Sequence, residues 1–202
     1  WRLLFLSSGE AGLAEHMAQA NHKSKAGQEI RLLDIPDDAG QGLGLFDTVH
    51  DYASSAEFSK VLTEVAGKYY GTAAPAFIEK MVKHLDKLPA LVKKAQREFM
   101  TQHLPDDAGG QAHRAALRFA LVGAAGEIAT VWGITGWQLG EASNAAKTCF
   151  DAWLAHRGGS GNQEQAAMLA QVRQFLELHG NARFEDWDRA TADHAPKTIN
   201  RA

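Results

Sequence analysis

The sequence of 202 residues lacks several features that mark particular classes of protein. Its single cysteine, Cys149, excludes an internal disulfide and is typical of a reducing compartment. We therefore expect a cytoplasmic protein in which this thiol is simply a small side chain on a helix. No apolar run approaches the roughly 18 residues that a membrane span requires, so we expect no membrane partner.

The sequence also lacks a large excess of charge of one sign, metal-ligand spacings and nucleotide-binding loops. The formal net charge is only −3, and no overall basic field indicates nucleic-acid binding. The nine histidines show no His-Glu-x-x-His or Cys/His spacing, so no metal site is predicted. Neither Gly-x-x-x-x-Gly-Lys-Ser/Thr nor Gly-x-Gly-x-x-Gly occurs, and the 202 residues therefore contain no P-loop.

Two apolar runs of strand length stand near the amino end of the chain. Residues 1–6 stop at a cluster of small polar residues, and residues 28–36 carry Ile-Arg-Leu-Leu-Asp-Ile before a proline. A helix is predicted between them, over residues 9–22, and two strands joined by a helix favour parallel pairing. We predict a small parallel sheet here, with ligands at the carboxyl ends of its strands.

Helical periodicity dominates the rest of the chain. Apolar residues recur at helical spacing in residues 57–70, 75–103, 113–132, 141–156 and 163–179. Pro89 either breaks the second of these helices or opens a new one. Gly180 is placed to end the last helix, and residues 183–187 predict a short strand.

The fold class predicted from these patterns is mainly α with a small parallel β element, that is, an α/β protein. Residues 157–162, Arg-Gly-Gly-Ser-Gly-Asn, are the clearest linker. The expected organisation is an α/β part over residues 1–50, a helical region over residues 51–157, and a linker with a small further segment over residues 158–202.

Three groups of polar residues are candidates for chemistry near the predicted sheet. Ser7 and Ser8 follow the first strand, where a hydroxyl can orient water or contact a phosphate; alternatively, they only satisfy backbone groups. Arg31 interrupts an apolar strand, and it either contacts a phosphoryl group or extends along an edge strand to water. Lys25, in a turn, is a weaker candidate for the same role.

A second group of candidates lies on the predicted helix over residues 113–132. Arg114 and Arg118 are four residues apart on one face, and their guanidinium groups suit a phosphate. The alternative is ion pairing with Asp106 or Asp107. Glu127, on the same helix, is expected to be a structural partner of an arginine.

Two further sets of residues are interpreted as structural. Trp132, Trp137, Phe150 and Trp153 are expected to form core. The basic cluster Lys93, Lys94 and Arg97 is interpreted as a solvated helix face rather than a nucleic-acid patch.

Five blocks of the sequence resemble a known family. They are residues 5–10 (Phe-Leu-Ser-Ser-Gly-Glu), 26–36 (Ala-Gly-Gln-Glu-Ile-Arg-Leu-Leu-Asp-Ile-Pro), 69–72 (Tyr-Tyr-Gly-Thr), 118–129 (Arg-Phe-Ala-Leu-Val-Gly-Ala-Ala-Gly-Glu-Ile-Ala) and 133–137 (Gly-Ile-Thr-Gly-Trp). In this order they resemble the bacterial and mobile-element family called domain of unknown function nine-two-seven, and the predicted helicases of phages, integrative elements and staphylococcal cassettes. The resemblance runs from about Trp1 to Trp187.

The resemblance implies the later part of an AAA+-like ATPase of the minichromosome-maintenance type, with a helical lid and the start of a winged helix. It implies that Ser7 or Ser8 senses the γ-phosphate, that Arg31 is an arginine finger, and that Arg114 or Arg118 is the sensor of the lid. The phosphate-binding lysine and the magnesium-coordinating acidic pair would precede Trp1. These 202 residues alone should therefore not hydrolyse ATP.

The function expected from the resemblance is that of the sensor and lid portion of an ATP-dependent DNA helicase. Its cofactors would be ATP and Mg²⁺, and its partners would be DNA and further copies of itself in a ring. The alternative is a non-enzymatic helical module with an interaction or regulatory role, which the low net charge and the missing P-loop favour.

Overall fold

The computed structural model describes residues 5–22, 26–161 and 163–183, and every regular element within these ranges is a helix. In chain order the helices are α1 (Leu13–Gln19), α2 (Ala26–Glu29), α3 (Ser55–Lys68), α4 (Ala73–Lys83), α5 (Leu88–His103), α6 (Gly110–Val131), α7 (Glu141–Arg157) and α8 (Gln163–Arg183). The chain divides into two compact units, residues 1–161 and residues 162–202.

The predicted parallel sheet, and with it the α/β fold class, is wrong for the described residues. Phe5 and Leu6 have no regular structure and are 79% and 100% exposed. In the second run the backbone amides of Arg31 and Leu32 both donate to the carbonyl of Gln28, at 2.9 and 3.1 Å. These local bonds continue the turn of α2 and use the donors that a strand would offer to a neighbour. The described chain is therefore all-α.

The apolar side chains of the second run are covered unevenly, with Leu32 and Ile35 left 44% and 40% exposed. Ile30 is 5% exposed, and Leu33 packs against the main hydrophobic cluster of the first unit. Residues 1–4 of the first predicted strand, and residues 184–187 of the last, lie outside the described residues. The remaining residue of that last prediction, Arg183, is helical.

The predicted helices coincide with observed ones, apart from their ends. The helix predicted over residues 113–132 is α6, which begins at Gly110. Pro89 stands in the first turn of α5, where a backbone N–H would have no acceptor within the helix. The proline therefore opens a helix rather than kinking one. The prediction that Gly180 ends the last helix is wrong, because α8 continues to Arg183.

The core of the first unit is built around α6, which packs against α5 and α7. Its buried face consists of small residues and one phenylalanine: Ala112, Ala115, Ala116, Phe119, Ala120, Gly123 and Ala124. Large side chains from the neighbouring helices, Phe99, Phe150 and Trp153, fill the space against that face. Small residues on the central helix thus allow the three helices to approach closely.

Two glycines of α6 lie at its closest approach to α7. A Cβ atom at Gly126 would lie 2.5 Å from the Cβ of Ala142, and one at Gly123 would lie 3.1 Å from that of Ala146. Carbon atoms do not approach to 2.5 Å without displacement of one helix. The separation of α6 and α7 therefore depends on the missing side chain at Gly126.

The helices α1, α3 and α4 bury less of their side chains than the helices of the core. In α3, Ser54 accepts a hydrogen bond from the amide of Glu57 at 3.2 Å, and the Glu57 carboxylate accepts one from Ala53 at 2.9 Å. This reciprocal arrangement stabilises the start of the helix locally. Neither α1, α3 nor α4 has a fully buried residue.

The predicted linker is held against the start of α6. The amide of Gly109 donates to the carbonyl of Ser160 at 2.9 Å, and the Arg157 guanidinium donates to the side-chain oxygen of Gln111. The boundary between the two compact units falls at the end of this segment, between residues 161 and 162. In the second unit, α8 exposes a set of apolar side chains: Met168, Leu169, Val172, Phe175 and Leu176.

Candidate functional site: arginines at the start of α6

Arg114 and Arg118 lie in the first turns of α6 and point from one face, as their spacing predicts. Arg114 is exposed, whereas Arg118 is half-buried. The helix begins at Gly110, and its N-cap residue, Gly109, has no side chain to cap it. The first amides of α6 and the Arg114 guanidinium therefore offer hydrogen-bond donors at this end of the helix.

Arg118 joins α6 to the segment that contains Arg31. Its Nη1 atom donates a hydrogen bond to the carbonyl oxygen of Ile30, which lies 88 residues earlier in the sequence. That carbonyl belongs to the peptide bond between Ile30 and Arg31, so the Arg118 guanidinium lies beside the backbone of Arg31. The backbone of the Arg31 segment is thereby held against α6, one helical turn from Arg114.

Asp34 joins the carboxyl end of the segment that contains Arg31 to the start of α1. Its Oδ2 atom accepts a hydrogen bond from the backbone amide of Leu13, the first residue of α1, at 3.1 Å. The Asp34 carboxylate also contacts Gly12, where a Cβ atom would collide with it. The Asp34 side chain therefore supplies the cap that the amino end of α1 lacks in its own sequence.

The charges of the arginines are not neutralised by carboxylates in the described part of the chain. The ion pairs found there are Lys83–Glu79, Lys94–Glu98 and Lys147–Asp151. Pairing of Arg114 or Arg118 with Asp106 or Asp107, the alternative considered from sequence, is not among them. Exposed guanidinium groups of this kind can donate two parallel hydrogen bonds to a phosphate or carboxylate.

Ser7 and Ser8 lie apart from this arrangement. Both are exposed in an irregular segment before α1, and within the described residues neither forms a hydrogen bond with Arg31, Arg114 or Arg118. Lys25 lies outside the described residues. The structure thus places the Arg118 guanidinium beside the backbone of Arg31, and in the described residues no hydrogen bond links the serines to these arginines.

Glu127 caps a helix instead of pairing with an arginine, so that expectation is wrong. Its two carboxylate oxygens accept hydrogen bonds from the backbone amides of Gly140 and Ser143, at 2.9 and 3.0 Å. Burial raises the pKa of Glu127, but hydrogen bonds from Gly140, Ser143 and Ala142 outweigh it and hold the pKa below its usual range. A charged Glu127 on α6 thus stabilises the amino end of α7.

The aromatic core prediction is confirmed for two of its four members. Phe150 is 0% exposed and Trp153 is 4% exposed. Trp137 is 53% exposed, so its assignment to the core is wrong, and Trp132 is half-buried. Trp132 instead links helices: its carbonyl accepts a hydrogen bond from Lys80 of α4 at 2.6 Å, and its ring lies 5.2 Å from that of Phe77.

The remaining predicted residues have structural surroundings. Cys149 is half-buried against the main hydrophobic cluster. Lys93, Lys94 and Arg97 are exposed on α5, and Lys94 forms a 3.7 Å pair with Glu98. This exposure agrees with the interpretation of the cluster as a solvated helix face.

Metal ligands and membrane spans are absent from the described residues. Within them, no three or more His, Cys, Asp or Glu side chains come together in a way that could hold a metal ion. No helix in the same ranges has the length and apolar character to cross a bilayer. Comparison with protein-family models, with curated proteins and with solved structures found no match to this chain.

Proposed function

We propose that this chain is the nucleotide-sensing helical part of a cytoplasmic, DNA-acting ATPase of the helicase type. The P-loop that the 202 residues lack would come from another segment of the whole protein. The whole protein would use ATP and Mg²⁺, act on DNA and assemble from several copies. The proposal rests on the resemblance of the five sequence blocks and on one structural observation.

The observation that carries the proposal is the hydrogen bond from Arg118 to the carbonyl of Ile30. It joins the block that contains Arg31 to the block that begins α6. Two blocks that resemble one family therefore meet in the fold, although 88 residues separate them in the sequence.

The exposed guanidinium groups are suited to the phosphates of a nucleotide. Arg31 and Arg114 would bind γ-phosphate oxygens, and Arg118 would hold the Arg31 segment against α6 while the nucleotide is present. Loss of the γ-phosphate would remove the ligand that the two exposed side chains share. The described residues offer no carboxylate cluster for Mg²⁺, so the ion would be held by the segment that carries the P-loop.

The test is the ATPase activity of the whole protein that contains this chain. Arg31→Ala and Arg114→Ala should each reduce turnover by about tenfold or more, since a guanidinium directed at a phosphoryl group commonly contributes several kcal/mol. Arg97→Ala is the matched control, because Arg97 is an exposed arginine on α5 to which the proposal assigns no role. Its turnover should equal that of the unaltered protein.

The 202 residues themselves should bind ATP only at millimolar concentrations or more weakly, about 4 kcal/mol or less. Calorimetry with ATP and Mg²⁺ measures this directly. Micromolar binding by this chain, unchanged turnover in both arginine variants, or a whole protein without a P-loop would each contradict the proposal.

A second candidate function is a non-enzymatic helical interaction module. The observation that favours it is the all-helical character of the described residues, together with the apolar side chains that α3 and α4 leave exposed, such as Leu62, Val65 and Val82. A whole protein with no ATPase activity but a stable binding partner would support this candidate over the first.

A further inference from the structure

One side of α4 faces a single residue of the bundle, Trp132. Phe77, Lys80 and the C-cap residue His84 are spaced by three and four residues, so they lie along one side of the helix. The Phe77 ring lies 5.2 Å from the Trp132 ring, and the His84 ring is stacked on it at 5.8 Å. Lys80 donates to the Trp132 carbonyl at 2.6 Å. Apart from the turn into α5, the hydrogen bonds and ring contacts between α4 and the bundle in the described residues all end on Trp132.

Trp132 itself is firmly attached to α6. It is the C-cap residue of that helix, and its amide donates to the carbonyl of Ile128 at 3.0 Å. The chain after it turns back, because the amide of Ile134 donates to the carbonyl of Ala129 at 2.9 Å. Since α6 is the central helix of the bundle, Trp132 belongs to the bundle, whichever way α4 moves.

The rest of α4 is covered only in part. No residue of α4 is fully buried, and Ile78 and Val82 are 53% and 60% exposed. The Lys83–Glu79 ion pair lies within α4 and is itself exposed. Separation of α4 from Trp132 would therefore uncover little apolar surface. Segments of this kind open locally at a much lower cost than global unfolding.

Both ends of α4 are joined to short connections. Gly71, with a φ of +79°, lies in the loop between α3 and α4. After α4, the chain reaches α5 within residues 84–87, where Leu85 is 59% exposed. Leu88, the first residue of α5, is only 9% exposed and stays with the bundle. The chain can therefore bend on either side of α4 without disturbing the core.

We propose that α4 is a hinged lid with two positions and that Trp132 is the residue that holds it closed. In the closed position Phe77, Lys80 and His84 contact Trp132, as the structure shows. In the open position α4 leaves Trp132 as a unit, and the rings of Phe77 and Trp132 are uncovered together. The packing of α5, α6 and α7 is the same in both positions.

The test is native-state amide hydrogen exchange of the 202-residue chain, followed by NMR. Trp132→Ala removes both ring contacts and should make the amides of α4 exchange about tenfold or more faster, while those of α7 keep their rates. Trp137→Ala is the matched control. Trp137 follows α6 closely in the sequence, is 53% exposed, and forms no ring contact with α4 among the described residues. Its loss should leave the exchange of α4 unchanged.

A second pair of variants tests the hydrogen bond to the Trp132 carbonyl. Lys80→Met keeps most of the length of the side chain but removes its donor, and it should make α4 exchange about fivefold faster. Lys83→Met is the control, because it breaks only the exposed pair with Glu79 and should change the exchange less than about twofold. Circular dichroism should show the same helix content in all four variants.

Three results would overturn the proposal. In the original protein α4 would exchange as slowly as α6, or Trp132→Ala would accelerate α4 and α7 equally, because α4 would then open only when the bundle unfolds. Equal effects of Lys80→Met and Lys83→Met would show that the contact with Trp132 does not hold the lid.

Discussion

The bundle of α5, α6 and α7 and the helices α3 and α4 all carry apolar side chains, yet among these helices only those of the bundle bury some of them completely. Phe150 of α7 is 0% exposed, whereas Leu62 of α3 and Val82 of α4 are 44% and 60% exposed. The difference lies in the partner helix and not in the amount of apolar sequence. Because α6 offers a face of alanine and glycine, α5 and α7 can approach closely enough to cover their large residues.

The largest effect on stability should come from removing an aromatic ring from the centre of the bundle. Phe150→Ala removes a ring that lies 5.5 Å from Phe119 and 6.0 Å from Trp153, so unfolding free energy should fall by about 3–5 kcal/mol. Leu62→Ala on α3 should cost about 1 kcal/mol or less, because that residue is half-exposed already. Urea denaturation followed by tryptophan fluorescence measures both, and similar losses in the two variants would remove the contrast between the regions.

A smaller effect should follow from filling the space between α6 and α7. Gly126→Ala places a methyl group 2.5 Å from the Cβ of Ala142, and the displacement of α7 should cost about 1–3 kcal/mol. This loss outweighs the gain of about 1 kcal/mol that alanine gives within a helix. A more stable Gly126→Ala protein in thermal unfolding would show that the two helices are less closely packed.

The cap that joins α6 to α7 should contribute about 1–2 kcal/mol at neutral pH, which Glu127→Gln would largely remove. Since folding lowers the pKa of Glu127 below its ordinary value of 4.5, the contribution of its charge is present above that pH. The contribution is lost as the pH falls through the folded-state pKa.

The pH dependence of the unfolding free energy separates the loss of the Glu127 charge from a simple loss of packing. Unfolding free energies of the original protein and the Glu127→Gln variant, measured from pH 7 down to about pH 3, should converge at the acidic end. A constant difference across this range would mean that the carboxylate charge plays no part in the cap.

The smallest effect, and one of opposite sign, is expected in α3. A Cβ atom at Gly67 would have no atom within 4 Å, so Gly67→Ala should stabilise the protein by about 0.5–1 kcal/mol. The midpoint of thermal unfolding should rise in Gly67→Ala and fall in Gly126→Ala. Opposite shifts would show that the crowding around Gly126, and not the replacement of a glycine as such, destabilises the bundle. Destabilisation at Gly67 would indicate a contact that covers α3.

Helices could be predicted from the sequence because their periodicity is local. The alanine-rich pattern before Trp132 identifies α6, and the position of Pro89 is compatible with a helix start. The strand over residues 28–36 was wrong because a short apolar run has no period that separates a strand from an irregular segment. The choice depends on which groups lie nearby, and here Leu33 meets a helical core.

The candidate site was predictable only in part. The spacing of Arg114 and Arg118 placed both on one helix face, but the sequence held no sign that Arg118 binds the carbonyl of Ile30. Glu127 stood out as the acidic residue of an otherwise apolar helix, which is a sign of a specific partner. That its partners are backbone amides of α7 follows from the approach of two helices, which local sequence does not encode.

The 88-residue separation of Arg118 and Ile30 also has a consequence for the order of folding. The connections between α5 and α6 and between α6 and α7 are short, so these helices meet at a small cost in loop-closure entropy. We therefore expect the bundle to assemble first and the amino-terminal segment to dock onto it, which pairs the Ile30 carbonyl with Arg118. In native-state hydrogen exchange, the part that docks last should open first. The amide of Leu13 should therefore exchange faster than the amides of α6.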